Sequence, residues 1–206
     1  AACAGPPAAW VQASATGYYG IVEKGRCAEE APAGSDHLAQ VCRQCEAAFA
    51  SACPAAVRPV VLRIGVVLGR KGGAFPPLAR AAGMFLGGPA GSGRQGLSWI
   101  HQTDMEEIFL RTIEEEALRG TYNACAPEPA SNAEFMATLR HVLHRPWAPA
   151  MPAFVLRPVA RRIMGVEPSL LLDGQYAVPA RLEAAGYQFK FARLSRALAD
   201  LVDRRG

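Results

Sequence analysis

The sequence predicts an α/β fold, a doubly wound parallel sheet that continues into a small, mostly helical C-terminal subdomain. Three observations predict it. A short apolar strand end, Val11-Gln12-Ala13-Ser14, runs directly into a turn of small residues, Ala15-Thr16-Gly17, and ligands of open α/β sheets sit beyond such carboxyl strand ends. A continuous apolar run rich in β-branched residues spans Arg58 to Leu68, as suits a parallel strand covered on both faces. Between the two lies one amphipathic helix, which completes a βαβ unit with the right-handed crossover that strand twist favours.

Composition narrows the function classes. With 206 residues, 50% hydrophobic and 19% charged, the chain can bury one core plus a small appendage, and disorder is not indicated. The formal charge of +4 comes from scattered arginines, with a mild cluster at Arg157, Arg161 and Arg162. No basic run is interleaved with aromatics, so no nucleic-acid partner is expected. No apolar run of about 18 residues exists to cross a membrane. The six cysteines are irregularly spaced in a chain too aliphatic to need a disulfide framework, and they read as reduced thiols of a cytoplasmic protein. A strand so near a start that lacks Met suggests a chain that enters in the middle of a fold.

The elements follow in order. After the turn at Ser14–Gly20, residues 20–36 form a polar loop. His37–Ser51 carries Leu38, Val41, Cys42, Cys45, Ala48 and Phe49 at helical spacing, with Ser35 or Asp36 as N-cap. The buried strand Arg58–Leu68 comes next, then a glycine turn, a helix over Phe75–Leu86, a glycine-rich loop to Gly96 and a short strand over Leu97–His101. Asp104–Glu116 is a helix with Thr103 as N-cap and Glu106 as the capping-box carboxylate. Arg119–Cys125 is a strand, and Ser131 with Glu134 opens a helix to Leu143 through a second capping box. Pro146, Pro149 and Pro152 mark the boundary between residues 1–145 and the small domain 146–206. There, Phe154–Met164, Ala180–Ala185 and Leu194–Val202 read as helices, with a strand near Tyr187–Phe191.

Ser14-Ala15-Thr16-Gly17-Tyr18-Tyr19-Gly20 resembles the serine-bearing strand end of the extended short-chain dehydrogenase/reductases, in their nucleotide-sugar epimerase-like branch. Later segments agree in order: Leu62–Gly69, Gly87-Gly88-Pro89, Ser98–Asp104 and Gly120-Thr121-Tyr122-Asn123. With Leu171–Gln175 through Gly186-Tyr187, they resemble the epimerase-family proteins that end in a small domain of unknown function. The resemblance implies a Rossmann-like domain of the extended reductase type, represented here by its C-terminal half. In that family the dinucleotide fingerprint opens a βαβ half that precedes the serine strand. It further implies NADP, or NAD, as cofactor and a nucleotide-sugar-like small molecule as substrate, and it is compatible with a homodimer. A parallel sheet cut at its centre has an open edge, so the chain is expected to be part of a longer protein or to have that edge covered by another chain.

The resemblance also implies roles for residues. Ser14 matches the serine that holds the reacting oxygen, and Tyr18 or Tyr19 would orient the ligand. Cofactor contacts fall on Ser14, Ala15, Arg63, Gly65, Val66, Val67 and Leu68, and substrate contacts on Thr16, Arg94, Trp99 and His101. The family's Tyr-x-x-x-Lys is missing, because the helix after the serine turn holds neither residue and no tyrosine has a lysine four positions later. Hydride transfer would then need a water or a residue outside this chain to relay the proton. The alternative is a non-catalytic nucleotide- or protein-binding module. Gly91, Gly93 and Gly96 spell G-x-G-x-x-G, but they follow a loop and lead into a strand, which is the wrong context for the fingerprint. Cys42 and Cys45 share one helical face without a second pair, so core packing is expected there and no metal.

Overall fold

The computed structural model describes residues 5–159 and 172–203. Its central sheet is parallel, in the order β1 (Ala9–Ala15), β2 (Arg58–Ile64), β6 (Gly120–Ala124). Helix α1 (His37–Ala52) crosses between β1 and β2, and the Asp36 side chain caps it by accepting from the Ala39 amide at 3.0 Å. Register places Ser14 opposite Arg63 and Arg63 opposite Asn123. One polar row therefore runs across the sheet on the face that carries α1.

The apolar run breaks at Gly65, where β2 ends and β3 (Val66–Leu68) begins. A Cβ on Gly65 would lie 2.6 Å from the Ser98 carbonyl oxygen, so only glycine lets the two backbones cross. The expected strand Leu97–His101 likewise divides at Ser98. β4 (Gly96–Leu97) pairs antiparallel with β7 (Ala130–Ser131), whereas β5 (Trp99–His101) pairs parallel with β3. Helix α2 covers Phe75–Gly83, α3 Gln102–Glu114 and α4 Asn132–Val142. Ser131 and Glu134 form the expected capping box. At α3 the expectation is corrected: His101, not Thr103, is the N-cap, and its ring Nδ1 accepts from the Thr103 amide at 3.1 Å. The far end of α3 is held by Arg58, whose guanidinium donates to the carbonyls of Thr112, Ile113 and Leu118.

Beside a small buried cluster of Tyr19, Cys27, Cys125 and Ala177, two larger apolar cores hold the helices to the sheet. Leu62, Ile100, Ile108 and Tyr122 pack between the sheet and α3, joined by Leu182 of α6 (Ala180–Ala184). Trp99, Phe135 and Leu139 form the other core with Leu198 and Leu201 of α7 (Leu194–Val202). α5 covers Ala153–Val159, and the rest of the predicted helix Phe154–Met164 lies outside the described residues, as do Arg161, Arg162 and Leu171. Tyr187–Phe191 is irregular rather than a strand, because the amides of Lys190 and Phe191 donate to the Asp104 carboxylate instead of to a strand partner. Leu38, Val41 and Cys45 of α1 are exposed, which corrects the expectation that Cys45 packs in the core. They lie beside β1, whose sole strand neighbour among the described residues is β2. No described helix is long and apolar enough to cross a membrane.

Candidate functional site

A cavity of about 460 Å³ opens beyond the carboxyl ends of β1 and β2, within the size range of small-molecule sites. Ala15, Thr16 and Gly17 form one wall, where β1 turns into a single 3-10 turn, Thr16–Tyr19. Ile64, Gly65 and Val66 form the next, and Pro77 and Leu78 bring the start of α2 against it. Leu97 and Ser98 lie opposite, and Asp173, Gly174 and Gln175 close the space from the C-terminal segment. Among the described residues no lysine, arginine or histidine lines the cavity, whereas Asp36 and Asp173 do. Such walls suit an uncharged, flat, largely apolar group and offer no counter-charge for a phosphate.

The C-terminal segment is held in place by backbone contact. Gly174 packs so closely on Gly96 that a Cβ there would stand 1.9 Å from the Gly96 oxygen. The Val22 amide donates to the Gly174 carbonyl at 2.9 Å, and the Ser98 hydroxyl donates to the Gln175 carbonyl at 2.9 Å. Gln175 Nε2 donates to Thr16 Oγ1 at 2.7 Å, across the cavity wall.

The expected site residues separate into a group that lines the cavity, a group on the α1 face of the sheet, and a remainder in neither place. Ala15, Thr16, Gly65 and Val66 line the cavity. Ser14, Tyr18, Tyr19 and Arg63 gather on the α1 face of the sheet instead. Ser14 Oγ donates to Glu46 Oε1 at 2.7 Å. Arg63 grips both Glu46 oxygens, at 3.0 and 2.9 Å, and donates to the Tyr19 hydroxyl at 3.1 Å. Its guanidinium lies 3.3 Å from the centre of the Tyr18 ring, a stacked cation–π contact. The Tyr19 hydroxyl in turn donates to Asn123 Oδ1 at 2.7 Å. Burial pushes the Tyr19 hydroxyl up to about 12, against the opposing pull of Arg63 and Asn123, so it keeps its proton at neutral pH.

Leu68 is fully buried in the α4 core, and Val67 packs against the core of α3. Arg94 is exposed, and its carbonyl accepts from the Tyr176 hydroxyl. Trp99 is fully buried, with its indole N–H donating to the Glu128 carbonyl at 3.0 Å. His101 is buried with its ring stacked on Phe191 at 3.9 Å, and its Nε2 faces Asp200 Oδ2 at 3.4 Å in a geometry too poor for a hydrogen bond. Sequence reasoning missed Glu46, Ser98 and Gln175. Glu46 carried a signal, since it follows Cys42 by four residues and precedes Phe49 by three, placing a carboxylate on the buried stripe of α1. Ser98 and Gln175 come together only through the fold.

His101 gives a pH prediction. Burial lowers its pKa from the ordinary 6.5, opposed by Asp200 and Asp104 and assisted by Lys190. Below about pH 6.5 the unfolded chain therefore binds more protons than the folded one, and stability falls as pH drops through that value. Urea midpoints are expected to decrease from about pH 7.5 to about pH 5.5. His101→Phe, which keeps a ring on Phe191, is expected to flatten that decrease, and an equally steep decrease in the variant would refute the assignment.

Comparison with known proteins adds a family-model match, two relatives and a solved structure. The family model for a domain of unknown function, DUF1731, matches residues 151–201. An Arabidopsis thaliana protein named epimerase family protein SDR39U1 homolog, chloroplastic, is 38% identical over 197 residues, 95% of this chain and 55% of that protein. The human epimerase family protein SDR39U1 is 37% identical over 198 residues, 96% of this chain and 66% of that protein. The crystal structure of human SDR39U1 with NADPH superposes with a TM-score of 0.87 at 34% identity, covering 98% of this chain and 68% of that one. This chain thus spans 55% to 66% of the length of these curated relatives.

Proposed function

Because this chain belongs to the epimerase family of extended short-chain dehydrogenase/reductases, we propose that its cavity takes the nicotinamide end of NADP(H) beside a small substrate of the nucleotide-sugar class. The observation that carries this reading is the position and lining of the cavity, at the carboxyl ends of two parallel strands and, among the described residues, without a cation. Its apolar walls fit an uncharged ring, while a pyrophosphate and an adenine would have to lie outside them. That division agrees with the relative solved with NADPH, of which about a third has no counterpart in this chain. When bound, the nicotinamide ring supplies hydride exchange. Ala15, Gly65 and Val66 would shape its seat, and the Thr16 hydroxyl would meet a ligand oxygen. NAD is the alternative nucleotide.

Saturation-transfer NMR with NADPH and the 206-residue chain tests the assignment. The nicotinamide protons are expected to take up the strongest saturation and the adenine protons the weakest. Transfer strongest at adenine, or absent throughout, would overturn it. A second reading, the non-catalytic module, is favoured by the commitment of the Tyr19 hydroxyl to Arg63 and Asn123 on the α1 face of the sheet. NADPH binding without turnover of any nucleoside-diphosphate sugar, with the rest of the relatives' length present, would select that reading.

A further inference from the structure

We infer that Gln175, from the C-terminal module of unknown function, is a positioning residue that fixes the direction in which Thr16 hydrogen-bonds, and so selects ligands that present an oxygen acceptor, a ketone or amide carbonyl on an apolar ring. The inference rests on reading the cavity as a ligand site but not on the identity of the cofactor. Thr16 is 3% exposed and is among the residues that line the cavity. A threonine hydroxyl can accept and donate, and left alone it would serve either kind of ligand. Here Gln175 Nε2 occupies the accepting side at 2.7 Å. Among the described residues no acceptor takes the Thr16 proton, which leaves it for an occupant of the cavity.

The amide can do this because its backbone is clamped. Ser98 works from both sides of the residue, donating to the Gln175 carbonyl at 2.9 Å and accepting from the Ala177 amide at 2.8 Å. The Cys27 amide donates to the Tyr176 carbonyl at 2.8 Å, and Gly174 lies flush on Gly96. The clamp fixes the point from which the Gln175 side chain reaches Thr16, and a preorganised donor discriminates better than a mobile one. Buried polar groups reject a ligand that cannot complete their bonds more strongly than they favour one that can. The C-terminal module, on this view, supplies the wall that gives the cavity its polarity preference.

A matched pair of fragments tests it: cyclohexanone, which presents one oxygen acceptor, and methylenecyclohexane, the same ring shape without an acceptor, titrated into the full chain by ligand-observed NMR. The unmodified chain is expected to prefer the ketone by about three- to ten-fold, the size of one hydrogen bond. Gln175→Glu places an acceptor against Thr16, draws its proton away from the cavity and is expected to reverse the order. Thr16→Val, which keeps the shape and loses the hydroxyl, is expected to abolish the preference and serves if the glutamate variant does not fold. An unchanged order in Gln175→Glu, a persisting preference in Thr16→Val, or binding of neither fragment would overturn the inference. A chain that shows the reversal yet binds no NADPH loses the cofactor reading and keeps this one, and the opposite pattern does the converse.

Discussion

Replacing Arg63 by methionine is expected to remove about 3–5 kcal/mol of folding stability, the cost of stranding the other half of a buried ion pair. The side chains of Arg63 and Glu46 are 6% and 14% exposed, so water can compensate neither. Without the guanidinium, the Glu46 carboxylate keeps one donor, Ser14, in place of three bonds. The Tyr19 hydroxyl and the Glu29 carbonyl each lose a donor as well. Tyr18 loses the cation stacked on its ring.

The same geometry predicts which variants recover. Arg63→Lys keeps the charge but cannot span two carboxylate oxygens and a phenol at once, so it is expected to recover less than half of the loss. The double variant Arg63→Met with Glu46→Leu removes both charges and is expected to be more stable than Arg63→Met alone, because the penalty is the unpaired charge rather than the missing attraction. Urea unfolding of the unmodified chain, Arg63→Met, Glu46→Leu and the double variant measures this as a double-mutant cycle. A loss below about 1 kcal/mol in Arg63→Met would mean that water reaches Glu46 and that the network is not the closed unit described.

The elements were legible in the sequence where local rules acted alone. Helical spacing and a capping residue located α1, and a box of Ser131 and Glu134 located the start of α4. The buried strand was legible as a run, but its break at Gly65 was not. That break answers to the Ser98 carbonyl, a neighbour 33 positions away whose approach no local pattern records. Polarity at the site was misleading for a related reason. Ser14 and Thr16 sit two residues apart and look interchangeable in sequence, yet Ser14 lies within the strand and bonds Glu46, while Thr16 opens the 3-10 turn that lines the cavity. The direction of a side chain at a strand end depends on where the strand stops, and neither composition nor motif states that. Gln175 was legible as part of a family-like run but not as a partner of Thr16, because 159 residues separate them.

Asp104→Ala is expected to cost about 2–4 kcal/mol, since hydrogen bonds to a charged group are stronger than neutral ones and their buried partners are left bare. Asp104 is 1% exposed and stands in the first turn of α3. Its two oxygens accept from the Lys190 amide at 2.8 Å and the Phe191 amide at 3.0 Å. The Tyr187 hydroxyl reaches the Asp104 backbone carbonyl at 3.2 Å. One carboxylate thus serves the helix dipole of α3 and takes the amides of a segment that has no strand to pair with. Asp104→Asn is expected to lose a large part of that, because its one oxygen can accept from only one of the two amides while its NH2 group faces the other donor. The loss should also spread to the neighbouring stack: Phe191 holds the His101 ring, and His101 caps the same helix. Hydrogen exchange at Lys190, Phe191 and Thr103 is therefore expected to quicken together in either variant. A fall in urea midpoint worth less than about 0.5 kcal/mol, or exchange that quickens at Lys190 and Phe191 but not at Thr103, would mean that the C-terminal segment is held by its apolar contacts and that Asp104 is incidental to it.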